Sequence, residues 1–303
     1  MDRRQFLVGA ASLFVLAGCS RMEPPPTVAS TPVGSPSQPS GLAPVASGPT
    51  AAERAVRAVL VEALRARGFG GAPVGLPGTS AFDIPAALEV GVAAFAVAFV
   101  GTMLDELSTS DQPTAPGELL EALARAVQPE ASVLSTSPCD GRLVWAVGPG
   151  ATLSDLRGLS SAEWRGRTAA VPSFAVNRAD GIPGLQTAYG AQLTVETMDD
   201  AGARRSALTS GTAAIGAFRT CDLAELDGLG VLNDPLGLAQ ADPMVVLFDA
   251  SLADDQPGAV LAVTDALAVL GATAFATLQR GVASGGDPEQ VAREWVASNV
   301  SAR

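Results

Sequence analysis

From Leu42 onward, short apolar runs alternate with helical patterns, and this alternation restricts the chain to an α/β fold in which helices cover sheets. Ala52 to Arg67 carries Val56, Leu60 and Leu64 on one helical face and stops at Gly68. Ile84 to Val90, Pro116 to Val127 (with Thr114 as cap), Ile182 to Tyr189 and Ala201 to Ser210 read as further helices. Strand-like runs stand at 42–46, 73–76, within 91–100, and at 143–147, 168–171, 193–198, 213–218, 229–232 and 244–248. The last third is helical, and its final helix opens with Asp287 as N-cap, Pro288 at N1 and Gln290 at N3. No internal repeat is visible.

The N-terminus has a different character. Arg3 and Arg4 precede an apolar run from Phe6 to Leu16, too short for a permanent bilayer span, followed by Leu16-Ala17-Gly18-Cys19. Small residues before a cysteine match the bacterial lipobox. The expectation is that residues 1–18 are a lipoprotein signal peptide and that Cys19 is lipidated; a plain secretory signal or a signal anchor is the alternative. Arg3-Arg4-Gln5-Phe6-Leu7 also resembles the twin-arginine export motif, although an ordinary basic n-region has the same look. Residues 19–42 are rich in Pro and Ser and read as a linker, reaching on the order of 80 Å as polyproline and roughly 30 Å as a coil.

Composition excludes several chemistries. The formal charge of −12 becomes about −13 once Asp2, Arg3 and Arg4 leave with the signal, so phosphate backbones and anionic headgroups repel the chain and no nucleic acid is expected as a partner. Membrane attachment then falls to the diacylglycerol on Cys19. There is no histidine, which removes Ser-His-Asp and Cys-His catalysis and the commonest metal sites; no cofactor and no enzyme activity are expected. After Cys19 only Cys139 and Cys221 remain, and in an oxidising space they read as one disulfide, stabilising by about 4 kcal/mol in the chain-entropy picture. Two buried free thiols are the alternative.

The segment Arg178-Ala179-Asp180-Gly181-Ile182-Pro183-Gly184-Leu185-Gln186-Thr187-Ala188-Tyr189-Gly190 resembles the "R-x-D-G-x-x-G-L-x-x-x-Y-G" stretch of the osmoprotectant (glycine betaine, carnitine, choline) substrate-binding proteins of ABC importers. Phe99-Val100-Gly101-Thr102, Ala207-Leu208-Thr209-Ser210-Gly211, Ala217-Phe218-Arg219-Thr220, the run from Leu229 to Leu238, and the closing helix from Asp287 to Trp295 are similar to further pieces of that family, in its order. The resemblance covers about residues 43–299. It implies a type II periplasmic-binding-protein fold: lobe one from 43–138 plus 222–303, lobe two from 139–221, and two hinge crossings. Cys139 and Cys221 would fall at those crossings and staple them. The implied partners are a small zwitterionic or cationic solute and an ABC permease, with the protein a monomer.

That family cages a quaternary ammonium in aromatics and holds the ligand carboxylate with donors. The resemblance places Phe99 and Phe218 at two cage tyrosines, Asp242 at a third and, loosely, Arg142 at a fourth. Arg178 matches the anion-binding arginine and Thr102 the hydroxyl donor. Each has a plainer reading: core packing for Phe99 and Phe218, solvated loop charge for Asp242 and Arg219, a surface or interlobe salt bridge for Arg178. Trp145, Trp164, Trp295 and Tyr189 read as packing. Two functions follow: a solute-binding lipoprotein with an altered ligand, or a docking or regulatory lipoprotein whose cleft no longer binds betaine-like solutes.

Overall fold

β1 (Leu42–Ser47) leads into α1 (Ala51–Ala66), and the entry is fixed by a reciprocal cap. The Thr50 hydroxyl accepts from Glu53 N at 3.1 Å, and the Glu53 carboxylate accepts from Thr50 N at 3.2 Å. A computed structural model describes residues 41–75, 83–107, 115–134 and 138–300. The expected signal, Cys19, the linker to residue 40, and Thr114 lie outside them. Beyond α1 come β2 (Gly70–Gly75), α2 (Asp83–Glu89), β3 (Phe95–Phe99), α3 (Val100–Leu107), α4 (Pro116–Ala126) and β4 (Ala131–Leu134). The chain then crosses to a second sheet through 138–142.

There it forms β5 (Leu143–Val147), β6 (Thr168–Val171), α5 (Ile182–Tyr189), β7 (Thr194–Thr197), α6 (Ala201–Ser210), β8 (Ile215–Arg219), α7 (Leu223–Leu226) and β9 (Gly230–Val231). A 3-10 turn, Ser173–Val176, links β6 to the segment before α5. The chain returns to the first sheet as β10 (Met244–Asp249) and ends in α8 (Leu252–Asp255), α9 (Pro257–Val269), α10 (Ala272–Ala283) and α11 (Pro288–Asn299). Asp287 caps α11 as expected, accepting from Gln290 N at 2.7 Å.

The two sheets run β2-β1-β3-β10-β4 and β7-β6-β8-β5-β9. Each has a parallel block of three strands beside one antiparallel strand. In both, that antiparallel strand is the one the chain forms just after crossing between lobes. Apolar clusters fill both faces of each sheet. This explains why β3 reads Phe-Ala-Val-Ala-Phe without polar alternation: it is buried on both sides. The expected two-lobed type II architecture is what the chain adopts.

The lobe boundary near residue 221 is less simple than the sequence suggested. Cys221 is packed in the core of the first lobe, with Leu223 against that core. The chain then goes back: β9 pairs antiparallel with β5, Ala146 facing Val231, and Asn233 bridges to Asp155. β5 carries β8 on one side only, and β9 covers its open edge. The last return to lobe one is therefore at 241–243. Cys139 and Cys221 are disulfide-bonded, with Cα atoms 6.2 Å apart, tying two of the connecting segments together. Among the described residues no single helix is long and apolar enough to cross a membrane; α9 and α10 pass that test only as a pair bent by 99°.

Candidate functional site: a buried charge cluster between the lobes

Asp242 lies in the last connecting segment, just before β10, and its carboxylate is where the lobes meet. One oxygen, Oδ1, accepts from Gly101 N at 2.7 Å and Thr102 N at 3.3 Å. These belong to the first turn of α3, whose N–H groups have no partner within the helix. The other, Oδ2, accepts from the Thr102 hydroxyl at 3.1 Å, Arg178 Nη1 at 2.6 Å and Arg219 Nη1 at 2.5 Å. Thr102 comes from lobe one, and both arginines come from lobe two.

The arginines have further partners. Arg178 makes a two-pronged pair with Asp180, Nε to Oδ1 at 2.6 Å and Nη2 to Oδ2 at 2.7 Å. Its Nε is also 3.5 Å from an Asp105 oxygen. Arg219 donates from Nη2 to the Thr102 hydroxyl oxygen at 2.7 Å and from Nη1 to the Gly141 carbonyl at 3.2 Å. Its guanidinium carbon is 3.8 Å from the ring centre of Phe99, at the end of β3, and 4.2 Å from that of Phe174, in the Ser173–Val176 turn. One ring belongs to each lobe.

These groups are shut away from water: Arg178, Arg219, Asp180 and Asp242 are 5%, 4%, 1% and 0% exposed. The four buried side chains, two positive and two negative, cancel among themselves, with Asp105 at the solvent-facing edge, and this is the condition under which buried charges are tolerated. Burial alone would raise the Asp242 carboxyl, but Arg219 and Arg178 hold it below the usual aspartate range. Burial would likewise lower Arg178, yet Asp242 and Asp180 push it above the ordinary arginine value. Asp242 and Arg219 are thus not solvated loop charges, and Arg178 makes the interlobe salt bridge that was its plainer reading.

Gly141 makes the cluster possible. A Cβ there would lie 2.4 Å from the Phe99 ring and 3.1 Å from the Asp242 carbonyl, so only glycine lets the first connecting segment run against both. Gly141 N donates to that carbonyl at 2.7 Å. Beside it, Asp140 accepts from Asp242 N at 2.8 Å and from Arg142 Nε at 2.6 Å.

Of the residues singled out from the sequence, Phe99, Thr102, Arg178 and Asp242 are brought together. Arg142 is exposed and paired with Asp140 at the rim. Phe218 is buried in a small cluster within lobe two, under Arg204 at 5.2 Å. The reason is parity: Phe218 and Arg219 are neighbours on β8, so their side chains leave opposite faces, and only Arg219 reaches the other lobe. Behind it, Asp222 accepts from Arg219 N at 3.0 Å and pairs with Arg204 at 3.5 Å; burial raises Asp222, partly offset by Arg204. Trp145 and Trp164 pack in lobe two and Trp295 against lobe one. The Tyr189 hydroxyl donates to Asp234 and accepts from Leu236 N at 2.9 Å, fixing the end of α5.

Arg219, Phe174 and Asp180 were given no ligand role from the sequence. Asp180 stands within the Arg178 motif. Arg219 had a signal too: where the resemblance gives a serine this chain has a cation, and where it gives a tyrosine, at Asp242, an anion. Phe174 lies outside every quoted motif. A separate interlobe cavity of about 140 Å³ is lined by 49–51 and Arg54 of lobe one, by 199–202 of lobe two, and by Glu225 and Ala283. Among the described residues no group of three or more His, Cys, Asp or Glu is placed to share a metal ion.

Residues 45–298 match the family model described as the substrate binding domain of the ABC-type glycine betaine transport system. No curated protein matches the sequence. Many solved structures are similar in fold, among them the following three. A glycine betaine/carnitine/choline ABC transporter protein has 17% identity and a TM-score of 0.66, over 86% of this chain and 99% of its own. Apo YehZ from Escherichia coli has 18% identity and a TM-score of 0.60, over 86% and 99%. Lactococcal OpuAC, closed on glycine betaine, has 14% identity and a TM-score of 0.60, over 85% and 95%.

Proposed function

Because this chain belongs to the family of substrate-binding domains of ABC-type glycine betaine transport systems, we propose that it is the extracytoplasmic receptor of an ABC importer, anchored by a lipid on Cys19, whose interlobe cleft takes a small zwitterionic or cationic solute. The family binds solutes and is not enzymatic. The observation that carries the reading is the convergence of Arg178, the Thr102 hydroxyl and the α3 N–H groups on one buried carboxylate, that of Asp242. These donors are suited to a solute carboxylate, Phe99 and Phe174 to a cation. Closure of two lobes on a solute is a hinge motion that a permease can read.

Titration calorimetry of the folded mature protein against glycine betaine, choline, carnitine, proline betaine and ectoine tests this. Binding of one of them, lost in Arg178→Ala, supports the receptor; no heat from any removes it. A second reading is favoured by the same carboxylate: Asp242 already occupies the donors, as a docking or regulatory lipoprotein with a closed cleft requires. Retained association with a permease in the absence of any solute supports that reading. Mass measurement of the N-terminal peptide checks the lipid on Cys19, and export in a strain lacking the twin-arginine system checks the route. Light scattering checks that the protein is a monomer.

A further inference from the structure

We propose that Arg219 is the cleft's own tethered ligand: with Asp242 it supplies the cation and the carboxylate of a zwitterion from within the chain, so the lobes stay closed without solute and the Phe99–Phe174 site opens only to a solute that displaces Arg219. The inference rests on the reading that the cleft at Thr102, Arg178 and Asp242 is the solute site.

The guanidinium of Arg219 lies against one ring from each lobe, at 3.8 Å and 4.2 Å. Such contacts strengthen when water is excluded, and here it is. Both Nη atoms are engaged, on Asp242, Gly141 and the Thr102 hydroxyl. The carboxylate facing it satisfies Arg178 and the start of α3. The donors and the two rings that face each other across the lobes are therefore already engaged, by side chains at 4% and 0% exposure. A tethered group acts at an effective concentration in the millimolar range or above, so a free solute must exceed that before it displaces Arg219. Its apparent affinity is the intrinsic affinity multiplied by the fraction of time Arg219 is out of the cage. Arg219 thus sets specificity by occupation, and truncating it exposes a site for small guanidinium and alkylammonium ions.

Chemical rescue on the full mature chain tests this. Arg219→Ala is expected to melt lower than the parent and to regain several degrees, roughly, in tens of millimolar methylguanidinium, with a smaller gain from tetramethylammonium. The parent is expected to respond to neither, and Arg219→Ala/Asp242→Asn to lose the rescue. A folded Arg219→Ala that methylguanidinium does not stabilise overturns the proposal. So does a parent that binds tetramethylammonium in a manner lost with Phe99→Ala, because the cage would be open with Arg219 in place. Should Arg219→Ala not fold, nitrogen-15 spectra of the parent decide. Ring currents from two phenylalanines should move the Arg219 Nε–H proton well upfield, and an unshifted signal removes the cation from the rings. Betaine binding by the parent through Arg178 together with failed rescue would leave the receptor standing and this proposal overturned. Rescue without any solute bound by the parent would do the reverse.

Discussion

Replacing Asp242 by asparagine keeps the shape of the side chain and removes its charge. The cluster then passes from neutral to one net positive charge with Arg178 and Arg219 still at 5% and 4% exposure. Deleting one partner of a buried ion pair typically costs about 3–5 kcal/mol. Two features hold the loss to the lower end. Arg178 keeps Asp180, and the lobes can part so that water reaches Arg219. The expected destabilisation is about 3 kcal/mol, or roughly 6–12 °C in Tm for a domain of this size. Calorimetric melting gives the stability, and small-angle scattering should show a larger radius of gyration than the parent as the lobes open. The double variant Asp242→Asn/Arg219→Gln should recover part of the loss, because the uncompensated cation is gone, with a coupling energy above about 1.5 kcal/mol. A drop in stability below about 0.5 kcal/mol, or strictly additive losses, would refute the view that this carboxylate holds the lobes together.

Further outcomes follow from the same contacts. The depressed Asp242 carboxyl contributes stability that is complete above the ordinary aspartate range and is lost as pH falls through its lowered value; Glu53, Asp222 and Glu225, all raised by burial, act in the opposite sense as they protonate. The stability gap between parent and Asp242→Asn, followed by melting from pH 7 downward, should accordingly shrink in acid below about pH 4, and a constant gap would contradict the assignment. Cys139→Ser/Cys221→Ser should lose about 4 kcal/mol in denaturant unfolding, and two titratable thiols in the unreduced parent would show that the bond does not form. Gly141→Ala places a methyl 2.4 Å from the Phe99 ring and should cost about 1–3 kcal/mol in the same assay, with an unchanged midpoint showing that the connecting segment is free to move away.

The α/β alternation, the Asp287 cap and the pairing of Cys139 with Cys221 are legible in the sequence because each rests on local pattern or on a count that leaves one partner. β9 is harder to read in its role. Residues 229–232 look like a strand, but which sheet takes Gly230 and Val231 is decided by the open edge of β5, formed some eighty residues earlier. The disulfide has the same limit: it locates Cys221 beside Cys139 and says nothing of the chain's return to lobe two after it.

The site shows what motif matching leaves out. The resemblance sets Phe218 at a cage position, yet the two-residue period of β8 turns it into lobe two and delivers Arg219 to the cleft instead. Taken alone, Arg219 and Asp242 each look like a charge lost to solvent, since a buried unpaired charge is too costly to expect. Taken together they cancel, and each supplies the reason the other can be buried. A carboxylate at Asp242 and a guanidinium at Arg219, where the resemblance sets a tyrosine and a serine, are what the proposed internal zwitterion requires, beside the separate pair of Arg178 and Asp180. Altering both positions should therefore restore a neutral cage where altering Asp242 alone leaves a stranded cation. On this view Asp242→Tyr/Arg219→Ser binds a quaternary ammonium by calorimetry, while Asp242→Tyr by itself does not. Equal binding by the two would mean that Arg219 does not occupy the cage.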